Sequence, residues 1–329
     1  MKHSALDVLV CPGCKENLAL DAAVVERREI LDGTLTCTSC HAHYPIRSGV
    51  PRFVPDGMYA SSFGRQWNWF RTVQLDSATG TSRSEEALRG ATGWRDDLYP
   101  GRRLLDAGVG AGRFAERAAS KGAEVFGVDL TSAVDAAYRN IGERERVHLI
   151  QADIFALPFR ADTFDLAYSI GVLHHTPDPA AAFRRVADVV RPDGRFAVYL
   201  YSRYGIAHRM SDLIRPLTTR LPLTVMWALS AAAVPLYYLY QLPVIGKVAN
   251  LVLPISMERD WHWRWLDTFD WYTPKYQFKY LYPEIFRWYQ DAGFHELEMF
   301  GDPVRMSGQK RSMTEESNGR QRWRDLVAL

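Results

Sequence analysis

The sequence predicts an α/β protein with a seven-stranded, mostly parallel sheet, a helical insertion and a small cysteine-rich unit at the N-terminus. Three observations predict this arrangement: strand and helix patterns alternate from about residue 101, a glycine-rich turn follows the first of those strands, and all four cysteines lie within the first 40 residues. The chain has 329 residues, of which 47% are hydrophobic. This is enough for about two domains with a substantial core, and it excludes a disordered chain.

The cysteines form two Cys-x-x-Cys pairs, Cys11 with Cys14 and Cys37 with Cys40. Each short turn directs two thiolates at one point, so the sulfurs predict a tetrahedral zinc site in a zinc-ribbon domain over residues 1–56. Such a site has no open position for water and is structural. Free or disulfide-bonded cysteines are the alternative, and His41 and His43 could replace a sulfur ligand. With every cysteine on the metal, no thiol is left for nucleophilic catalysis.

The rest of the chain divides by composition and periodicity. Residues 57–100 carry aromatic side chains at helical spacing and predict a helical lead-in or cap, although the polar residues 75–93 predict a loop. Residues 101–311 carry the strand–helix alternation, which residues 205–282 interrupt. We expect that stretch to be a helical insertion that serves as a lid over the substrate. Residues 312–329 are polar and predict a mobile tail.

Seven strand patterns follow the lead-in. Five apolar segments have strand length: RRLLDAGVG, AEVFGVDL, VHLIQADI, FDLAYSIG and RFAVYLYS. Helical patterns such as AGRFAERAASKG and DPAAAFRRVADVV lie between most of them, which is typical of parallel strands covered on both faces. After the insertion, PEIFRWYQDAGF predicts a helix that ends at Gly293, and HELEMFGDPVRMSGQ predicts two closing strands.

The strongest chemical signal is LLDAGVGAGRFAE. A strand delivers Asp106, and Gly108, Gly110 and Gly112 then allow the backbone to turn tightly and to approach a ligand before a helix begins. Read in a shifted register, Gly110 to Ala115 also satisfies a dinucleotide-binding pattern. A nicotinamide-dependent oxidoreductase is therefore an alternative.

Two further strands end in carboxylates. Asp129 can accept hydrogen bonds from ribose hydroxyls, and Asp153 can accept one from an adenine amino group, with Ile154 against the ring. Acidic groups favour a cationic cofactor, because they stabilise a sulfonium and repel a pyrophosphate. Each aspartate by itself could be a helix cap or a turn residue. Such separate roles do not explain why three strands, which end at Asp106, Asp129 and Asp153, all carry an acidic residue beside one glycine turn.

With these motifs in place, about residues 60–311 resemble the class I S-adenosylmethionine-dependent methyltransferases. The resemblance rests on the DxGxGxG motif from Asp106 to Gly112, on Asp129, and on ADIFALPF, FDLAYSIGVLHHTPDP and RVADVVRPDGRFAVYLYS. Val109 is a mild departure, since a small or polar residue is commoner there. The first 55 residues resemble the small zinc-ribbon proteins that activate tRNA and protein methyltransferases. The segment SSFGRQWNWF resembles an aromatic lead-in of such fused proteins, and we expect it to close over the cofactor.

The resemblance implies a Rossmann-like domain, S-adenosyl-L-methionine as the cofactor and in-line transfer of a methyl group to a nucleophile. The expected cofactor-binding residues are Asp106, Gly108, Gly110, Gly112, Asp129, Leu130, Asp153, Ile154, Ser169 and Gly171. A hydroxyl or activated-carbon acceptor requires a base, and His174 and His175 at the end of the fourth strand are the catalytic candidates. A role in shaping the loop below the cofactor is the favoured alternative for this pair.

The segment WHWRWLDTFDWYTPKYQFKY concentrates aromatic side chains. An aromatic core helix is one interpretation, and a substrate wall with polar anchors is the other. The candidate substrate residues are Tyr201, Trp265, Asp270, Tyr272 and Tyr276. The fourth strand lacks the Asn-Pro-Pro-aromatic signature of family members that methylate planar amides and exocyclic amines. These features favour a small aromatic or lipid-like metabolite as the O-, C- or N-acceptor.

The stretch from Leu221 to Gly246 carries no formal charge and raises the question of a membrane span. Three prolines interrupt it: Pro222, Pro235 and Pro243. Besides a helical insertion over the active site, peripheral membrane contact through residues 205–265 is therefore an alternative. The N-terminus lacks the apolar core of a signal peptide, so we expect a cytoplasmic protein with a membrane-associated form as the alternative.

The sequence is also compatible with other functions. An RNA methyltransferase that uses the ribbon for recognition is the main alternative to a metabolite enzyme, and a non-catalytic adapter is a further one. A net charge of +2 gives no global attraction for nucleic acid. The RNA alternative depends on basic residues near the C-terminus: Lys310, Arg311, Arg320, Arg322 and Arg324. No pattern in the sequence indicates the oligomeric state.

Overall fold

Two β-sheets organise the chain in a computed structural model that describes residues 1–55, 61–204, 207–301 and 303–312. The smaller sheet is antiparallel in the order β1-β2-β3-β4, with β1 (Leu18–Glu26), β2 (Glu29–Cys37), β3 (His43–Arg47) and β4 (Val50–Pro51). It belongs to the N-terminal unit, which we call the ribbon domain (residues 1–55). The predicted boundary at residue 56 and the predicted tail beyond residue 312 lie outside the described residues.

The larger sheet has seven strands in the order β10-β11-β9-β8-β5-β6-β7. Their bounds are β5 (Arg103–Ala107), β6 (Glu124–Asp129), β7 (Val147–Gln151), β8 (Phe164–Ile170), β9 (Val190–Leu200), β10 (Phe294–Met299) and β11 (Val304–Lys310). Strands β5 to β9 are parallel, and β11 runs antiparallel to both of its neighbours. This confirms the predicted mostly parallel, Rossmann-like sheet. The strand order reverses at β5, where such sheets bind ligands beyond the carboxyl ends of their strands.

Helices cover both faces of this sheet and form the insertion. The helices outside the insertion are α1 (Ser61–Trp69), α2 (Asp76–Thr79), α3 (Arg83–Thr92), α4 (Arg113–Ser120), α5 (Ala133–Ile141), α6 (Pro179–Val189) and α12 (Tyr282–Asp291). The insertion between β9 and α12 holds α7 (Ala207–Thr218), α8 (Leu223–Ser230), α9 (Ala233–Tyr240), α10 (Ile245–Val252) and α11 (Trp261–Tyr272).

The polar residues 75–93 form α2 and α3, so the loop predicted there is wrong. The Asp76 carboxylate accepts hydrogen bonds from the backbone N–H of Ser84 (3.0 Å) and of Glu85 (2.9 Å), which caps the start of α3. Leu88 is fully buried on the same helix. The segment lacks the apolar periodicity that usually predicts a helix. Helix α3 is instead stabilised by the cap from Asp76, eight residues before Ser84, and by a few buried apolar side chains.

The ribbon domain packs against strand β7 at the edge of the large sheet. The Phe53 N–H donates to the Gln151 carbonyl oxygen at 2.8 Å, which extends the pairing across the boundary. The Lys2 ammonium donates to the carbonyl oxygens of Gly142 (2.8 Å) and Val147 (2.9 Å). Apolar side chains of the ribbon domain, such as Leu9, belong to the same buried cluster as those of the sheet. The ribbon domain therefore covers the outer edge of β7, the edge that does not pair with β6.

The four cysteine sulfurs form one cluster. All lie within 4.8 Å of one another, and the closest contacts are 3.4 Å between Cys14 and Cys37 and 3.6 Å from Cys40 to both Cys11 and Cys14. Zinc–sulfur bonds of about 2.3 Å in a tetrahedron place sulfurs about 3.8 Å apart, so the donor set fits a structural zinc ion. The hydroxyl of Tyr44 lies 3.2 Å from Cys11 Sγ, where it can donate to a thiolate.

We expect the substitution Cys14→Ser to release zinc and to lower the free energy of unfolding by at least about 2 kcal/mol, because the metal replaces a core that the ribbon domain is too small to form. Elemental analysis, with one zinc ion per chain expected for the unmodified protein, and thermal denaturation measure the two effects. Ser39→Ala, an exposed neighbour of the ligands, is the matched control and should retain the metal. A fully folded protein without metal would contradict the assignment.

Candidate active site

A cavity of about 750 Å³ opens at the carboxyl edge of the parallel strands. The glycine turn after β5 and the ends of β6 and β8 form one side, and α11 of the insertion forms the other. Its volume falls in the range of small-molecule sites, roughly 300–1,000 Å³. The seven-stranded sheet thus forms one wall of the cavity, and the insertion forms the opposite wall.

The glycine turn presents bare backbone to this cavity. Gly108 has φ +107°, and a Cβ atom there would lie 2.2 Å from a methyl group of Val172. The N–H of Gly110 donates to Asp129 Oδ2 at 3.0 Å, while Asp129 Oδ1 accepts from the N–H (2.9 Å) and the hydroxyl (2.7 Å) of Thr131. These hydrogen bonds fix the carboxylate at the end of β6, beside the turn. Burial raises the pKa of Asp129 above its ordinary value.

The end of β7 completes this side. Asp153 accepts a hydrogen bond from the Phe155 N–H at 3.0 Å and begins a short 3₁₀ helix, Ile154–Ala156. Leu130, Asp153, Ile154 and Gly171 all line the cavity, as predicted for cofactor contacts. Acceptor carboxylates, an apolar side chain and an open backbone turn on one wall are the groups that ribose hydroxyls, an adenine ring and a sulfonium require, so the residues fit an adenosyl cofactor.

Three predicted cofactor residues do not reach the cavity. Asp106 is buried beneath the turn, where it accepts a hydrogen bond from the Tyr168 hydroxyl at 3.0 Å, and burial raises its pKa to about 7. The Ser169 hydroxyl donates to the Ala107 carbonyl oxygen at 2.7 Å. Gly112 is the N-cap of α4, and a Cβ atom there would lie 2.8 Å from Ile141. We therefore assign these three residues to the support of the turn.

The two histidines differ in position. His174 is fully buried, its ring lies 4.0 Å from that of Tyr201, and neither ring nitrogen has a hydrogen-bond partner among the described residues. Burial holds its pKa well below the ordinary value, so it is neutral. His175 lines the cavity, and its Nδ1 lies 2.9 Å from the Tyr276 carbonyl oxygen. Burial lowers the pKa of His175 as well. Only His175 faces the space in which an acceptor would lie.

One face of α11 forms the wall opposite the glycine turn, where an acceptor would lie, and we call it the acceptor wall. Residues at helical spacing line the cavity: Trp263, Leu266, Asp267, Asp270 and Trp271. Asp270 accepts a hydrogen bond from the Gln66 side chain at 3.1 Å, and Asp267 accepts one from the Ser256 hydroxyl at 3.2 Å. Burial raises the pKa of Asp267 to about 7, with Asp270 adding to the effect. The wall is therefore aromatic with two closely placed carboxyl groups.

Three of the predicted substrate residues lie elsewhere. Trp265 faces away from the cavity and donates from Nε1 to the Trp227 carbonyl oxygen at 3.0 Å. The Tyr272 hydroxyl donates to the Pro254 carbonyl oxygen at 2.7 Å. Tyr276 is absent from the cavity lining, and its backbone carbonyl receives the Nδ1–H of His175. Trp265 and Tyr272 lie on the face of α11 that packs against α8. Tyr201 and Asp270, the other two candidates, do line the cavity.

Several cavity residues were not among the predicted site residues, although Trp67 lies in the lead-in SSFGRQWNWF that the sequence predicts to close over the cofactor. Gln66 and Trp67 of α1 reach over the turn, and a Cβ atom on Gly110 would lie 3.4 Å from the Trp67 ring. The helical spacing of the aromatic residues around Trp67 was the sequence signal for a helix that covers the site. Arg113 and Asp267 also line the cavity, and burial lowers the pKa of Arg113 to about 10 while Asp267 opposes that shift. Asp267 lies three residues before Asp270 on the same helical face, and this spacing was the sequence signal that could have added Asp267 to the predicted site. Gln66 had none.

Comparisons with known proteins agree with this geometry. Residues 105–198 match a family model described as a methyltransferase domain, and residues 2–49 match one described as Trm112p-like protein. A ubiquinone biosynthesis O-methyltransferase of Aromatoleum aromaticum is 33% identical over 128 residues, which are 35% of this chain and 54% of the relative. The chain thus spans about half the length of the curated relatives it matches.

Solved structures are similar over different portions of the chain. An S-adenosylmethionine-dependent methyltransferase from Mesorhizobium loti is 34% identical, covers 36% of this chain and 52% of its own, and gives a TM-score of 0.32. A complex of the Haloferax volcanii Trm112 methyltransferase activator with a methyltransferase is 15% identical, covers 76% and 98% of the two chains, and gives a TM-score of 0.45.

These matches confirm the expected cofactor class, S-adenosylmethionine, and the four clustered cysteines fit the zinc expected in a ribbon domain. The segment that matches the methyltransferase model contains the glycine turn, Asp129, Asp153 and His175. The sequence, the sheet order and the family models lead to one assignment: the chain joins an S-adenosylmethionine-dependent methyltransferase domain to an N-terminal Trm112p-like zinc-ribbon domain.

Proposed function

We propose that the chain transfers the methyl group of S-adenosylmethionine to a small molecule with an aromatic or otherwise apolar body. The observation that carries this proposal is the single cavity that joins the glycine turn and Asp129 to His175 and the α11 wall. S-adenosylmethionine, when bound, supplies a methyl group on a positively charged sulfur. The chain contributes binding, orientation and exclusion of water, which supply much of the acceleration in such a displacement.

The cofactor half of the cavity follows from the strand ends. Asp129 is fixed by Gly110 and Thr131 with its oxygens beside the turn, so it can accept hydrogen bonds from vicinal hydroxyls. Asp153 and Ile154 lie at the adjacent strand end, where a planar base can pack and donate. Trp67 covers the turn from α1. This cover would keep water away from the transfer site.

The acceptor half combines apolar walls with few polar groups. Trp263, Leu266 and Trp271 form an apolar surface, while Asp270 and His175 supply the polar contacts. Such a division suits a substrate whose ring or chain is buried and whose reactive group is hydrogen-bonded. The relative from Aromatoleum aromaticum is named for O-methylation in ubiquinone biosynthesis, which supports an apolar acceptor.

His175 is the proposed base for a hydroxyl acceptor. Its Nδ1 donates to the Tyr276 carbonyl oxygen, so in this neutral tautomer Nε2 carries the lone pair. Its lowered pKa keeps the imidazole neutral at pH 7 and therefore able to accept a proton. His174 packs against both His175 and Tyr201 and is proposed to position them.

An RNA acceptor is the alternative, and the contacts of the C-terminal basic residues weaken it. The Lys310 ammonium is bound to the carbonyl oxygens of Val190 (2.6 Å) and Ala187 (3.0 Å) and to Asp162 (3.1 Å). Arg320, Arg322 and Arg324 lie outside the described residues. RNA binding that falls steeply with added salt would favour this alternative, because phosphate contacts release counterions.

Asp129→Ala should weaken binding of S-adenosylmethionine and S-adenosylhomocysteine by about 1.5–3 kcal/mol, which is about 10- to 150-fold in Kd, through loss of a hydrogen-bonded buried carboxylate. Isothermal titration calorimetry measures this change, and NADH should not bind either protein. Asp97→Ala, at an exposed site, is the control and should leave the affinity unchanged. Equal affinity of the Asp129 variant, or binding of NADH, would count against the cofactor assignment.

His175→Gln should reduce turnover of a hydroxyl acceptor about 10²- to 10⁴-fold with little change in cofactor affinity. A panel of phenols, catechols and amines, assayed by formation of S-adenosylhomocysteine, identifies the acceptor and measures the loss. Because the pKa of His175 is lowered, the unmodified protein should keep full activity at pH 7 and lose it only as the pH falls through that lowered value. His3→Gln, an exposed histidine, is the control. A variant with unchanged turnover and pH profile would exclude His175 as the base.

A further inference from the structure

The helical insertion exposes an unusual amount of apolar surface. Among the described residues, 13 of the 21 exposed large hydrophobic side chains lie between residues 213 and 257. The most exposed are Leu213 (73%), Leu217 (65%), Tyr238 (72%) and Val244 (76%). Large continuous apolar patches on the surface of a protein mark interaction sites. We call this surface, formed by α7 to α10, the insertion face.

Helices α8 and α9 are apolar on both sides. Their inward side is buried, with Met226, Ser230, Ala233 and Tyr240 at helical spacing. Their outward side exposes Val225, Leu229, Tyr238 and Leu239. A helix that is hydrophobic all round is normally covered by protein or by lipid. In the part of the chain that the structure describes, no element packs on the outward side.

The segment Leu223–Tyr240 is 18 residues long and apolar enough to cross a membrane by length and composition, and 22% of it is buried in the fold. Its contacts argue against a span. Trp265 donates to the Trp227 carbonyl oxygen (3.0 Å), and Arg264 donates to the Val234 carbonyl oxygen (3.3 Å). Both hydrogen bonds fasten the segment to α11 along its length. It therefore lies on the catalytic domain with one side outward, in the orientation of an interfacial helix.

The charged residues of the insertion face indicate which kind of partner surface it can bind. Residues 213–257 contain no Asp or Glu, and they contain Arg215, Arg220 and Lys247. Arg220 is exposed at the end of α7, whereas Arg215 is buried and bound to carbonyl oxygens. Apolar side chains without carboxylates, with a basic residue at the margin, complement an anionic lipid headgroup layer over an apolar interior.

An open groove of about 460 Å³ between α9 and α10 continues this surface. Its lining includes Leu242, Pro243, Leu251 and Met257. Helix α11 separates the insertion face from the cavity, since it carries Trp263 and Asp270 on one side and the contacts to α8 and α9 on the other. Whatever binds the insertion face therefore lies one helix away from the acceptor wall.

We propose that the insertion face docks the protein on the surface of an anionic lipid bilayer. The exposed side chains of α7 to α10 enter the interfacial layer, and Arg220 lies at the level of the headgroups. The docking is peripheral, because α8 and α9 stay attached to α11. It brings the acceptor wall close to molecules dissolved in the bilayer, but it does not depend on which acceptor is methylated.

Vesicle flotation of the full-length protein tests this proposal. We expect binding to phosphatidylcholine vesicles that contain about a third phosphatidylglycerol, and at least about tenfold weaker binding to phosphatidylcholine alone. The double variant Leu217→Glu with Val248→Glu should lose at least about tenfold in binding to the anionic vesicles, because both side chains are more than half exposed and bring carboxylates to the headgroups. Arg220→Gln should reduce the preference for anionic lipid.

Met299→Glu is the matched control, since Met299 is 59% exposed on β10, outside the insertion face. It should bind vesicles as the unmodified protein does. Thermal denaturation and titration with S-adenosylhomocysteine verify that each variant is folded, and they separate failure of docking from failure of the catalytic proposal. No binding to either vesicle type would overturn the inference. So would self-association in solution that the double variant abolishes, because the insertion face would then be an interface between two copies of the chain.

Discussion

The geometry of the candidate active site depends on the hydrogen bond from the Gly110 N–H to the Asp129 carboxylate. It joins the turn after β5 to the end of β6, so the backbone of one strand fixes the acidic group of the next. The turn itself exists because side chains are excluded there, with Val172 packed where a Cβ atom on Gly108 would lie. A rigid turn and a fixed carboxylate at the ligand-binding edge of a parallel sheet define where a cofactor can lie, and the remaining walls are arranged around it.

The ribbon domain acts on the same region from outside. It covers the edge strand β7 through the hydrogen bond between Phe53 and Gln151, and the Gln151 side chain donates to the Leu130 carbonyl oxygen at 3.1 Å. Asp153 lies two residues beyond the end of β7. The metal-stabilised unit thus supports the strand that delivers one side of the cofactor site, and this gives it a structural role that requires no contact with substrate.

Helix α11 connects the other parts of the molecule. One face carries the acceptor wall with Asp267 and Asp270, and the other holds α8 and α9. Gln66 of α1 donates to Asp270, so the cover over the cofactor and the acceptor wall meet at one hydrogen bond. The proposed lipid-docking surface and the proposed acceptor cavity would then share a single helix, so the two functions would lie close together and use different residues.

The sequence by itself determined the strand–helix alternation, the glycine turn, the acidic strand ends and the four sulfur ligands, because each follows from local periodicity or from fixed ligand spacing. Only the tertiary structure decided which side chains face the cavity. It separated His175 from His174 and assigned Trp263 rather than Trp265 to the acceptor wall. It also placed Asp106, Gly112 and Ser169 beneath the turn, and formed α3 from a polar segment through a cap from Asp76. In each case the physical reason is the same: the spacing of residues fixes which of them share a face, whereas the direction of that face depends on the elements that pack against it.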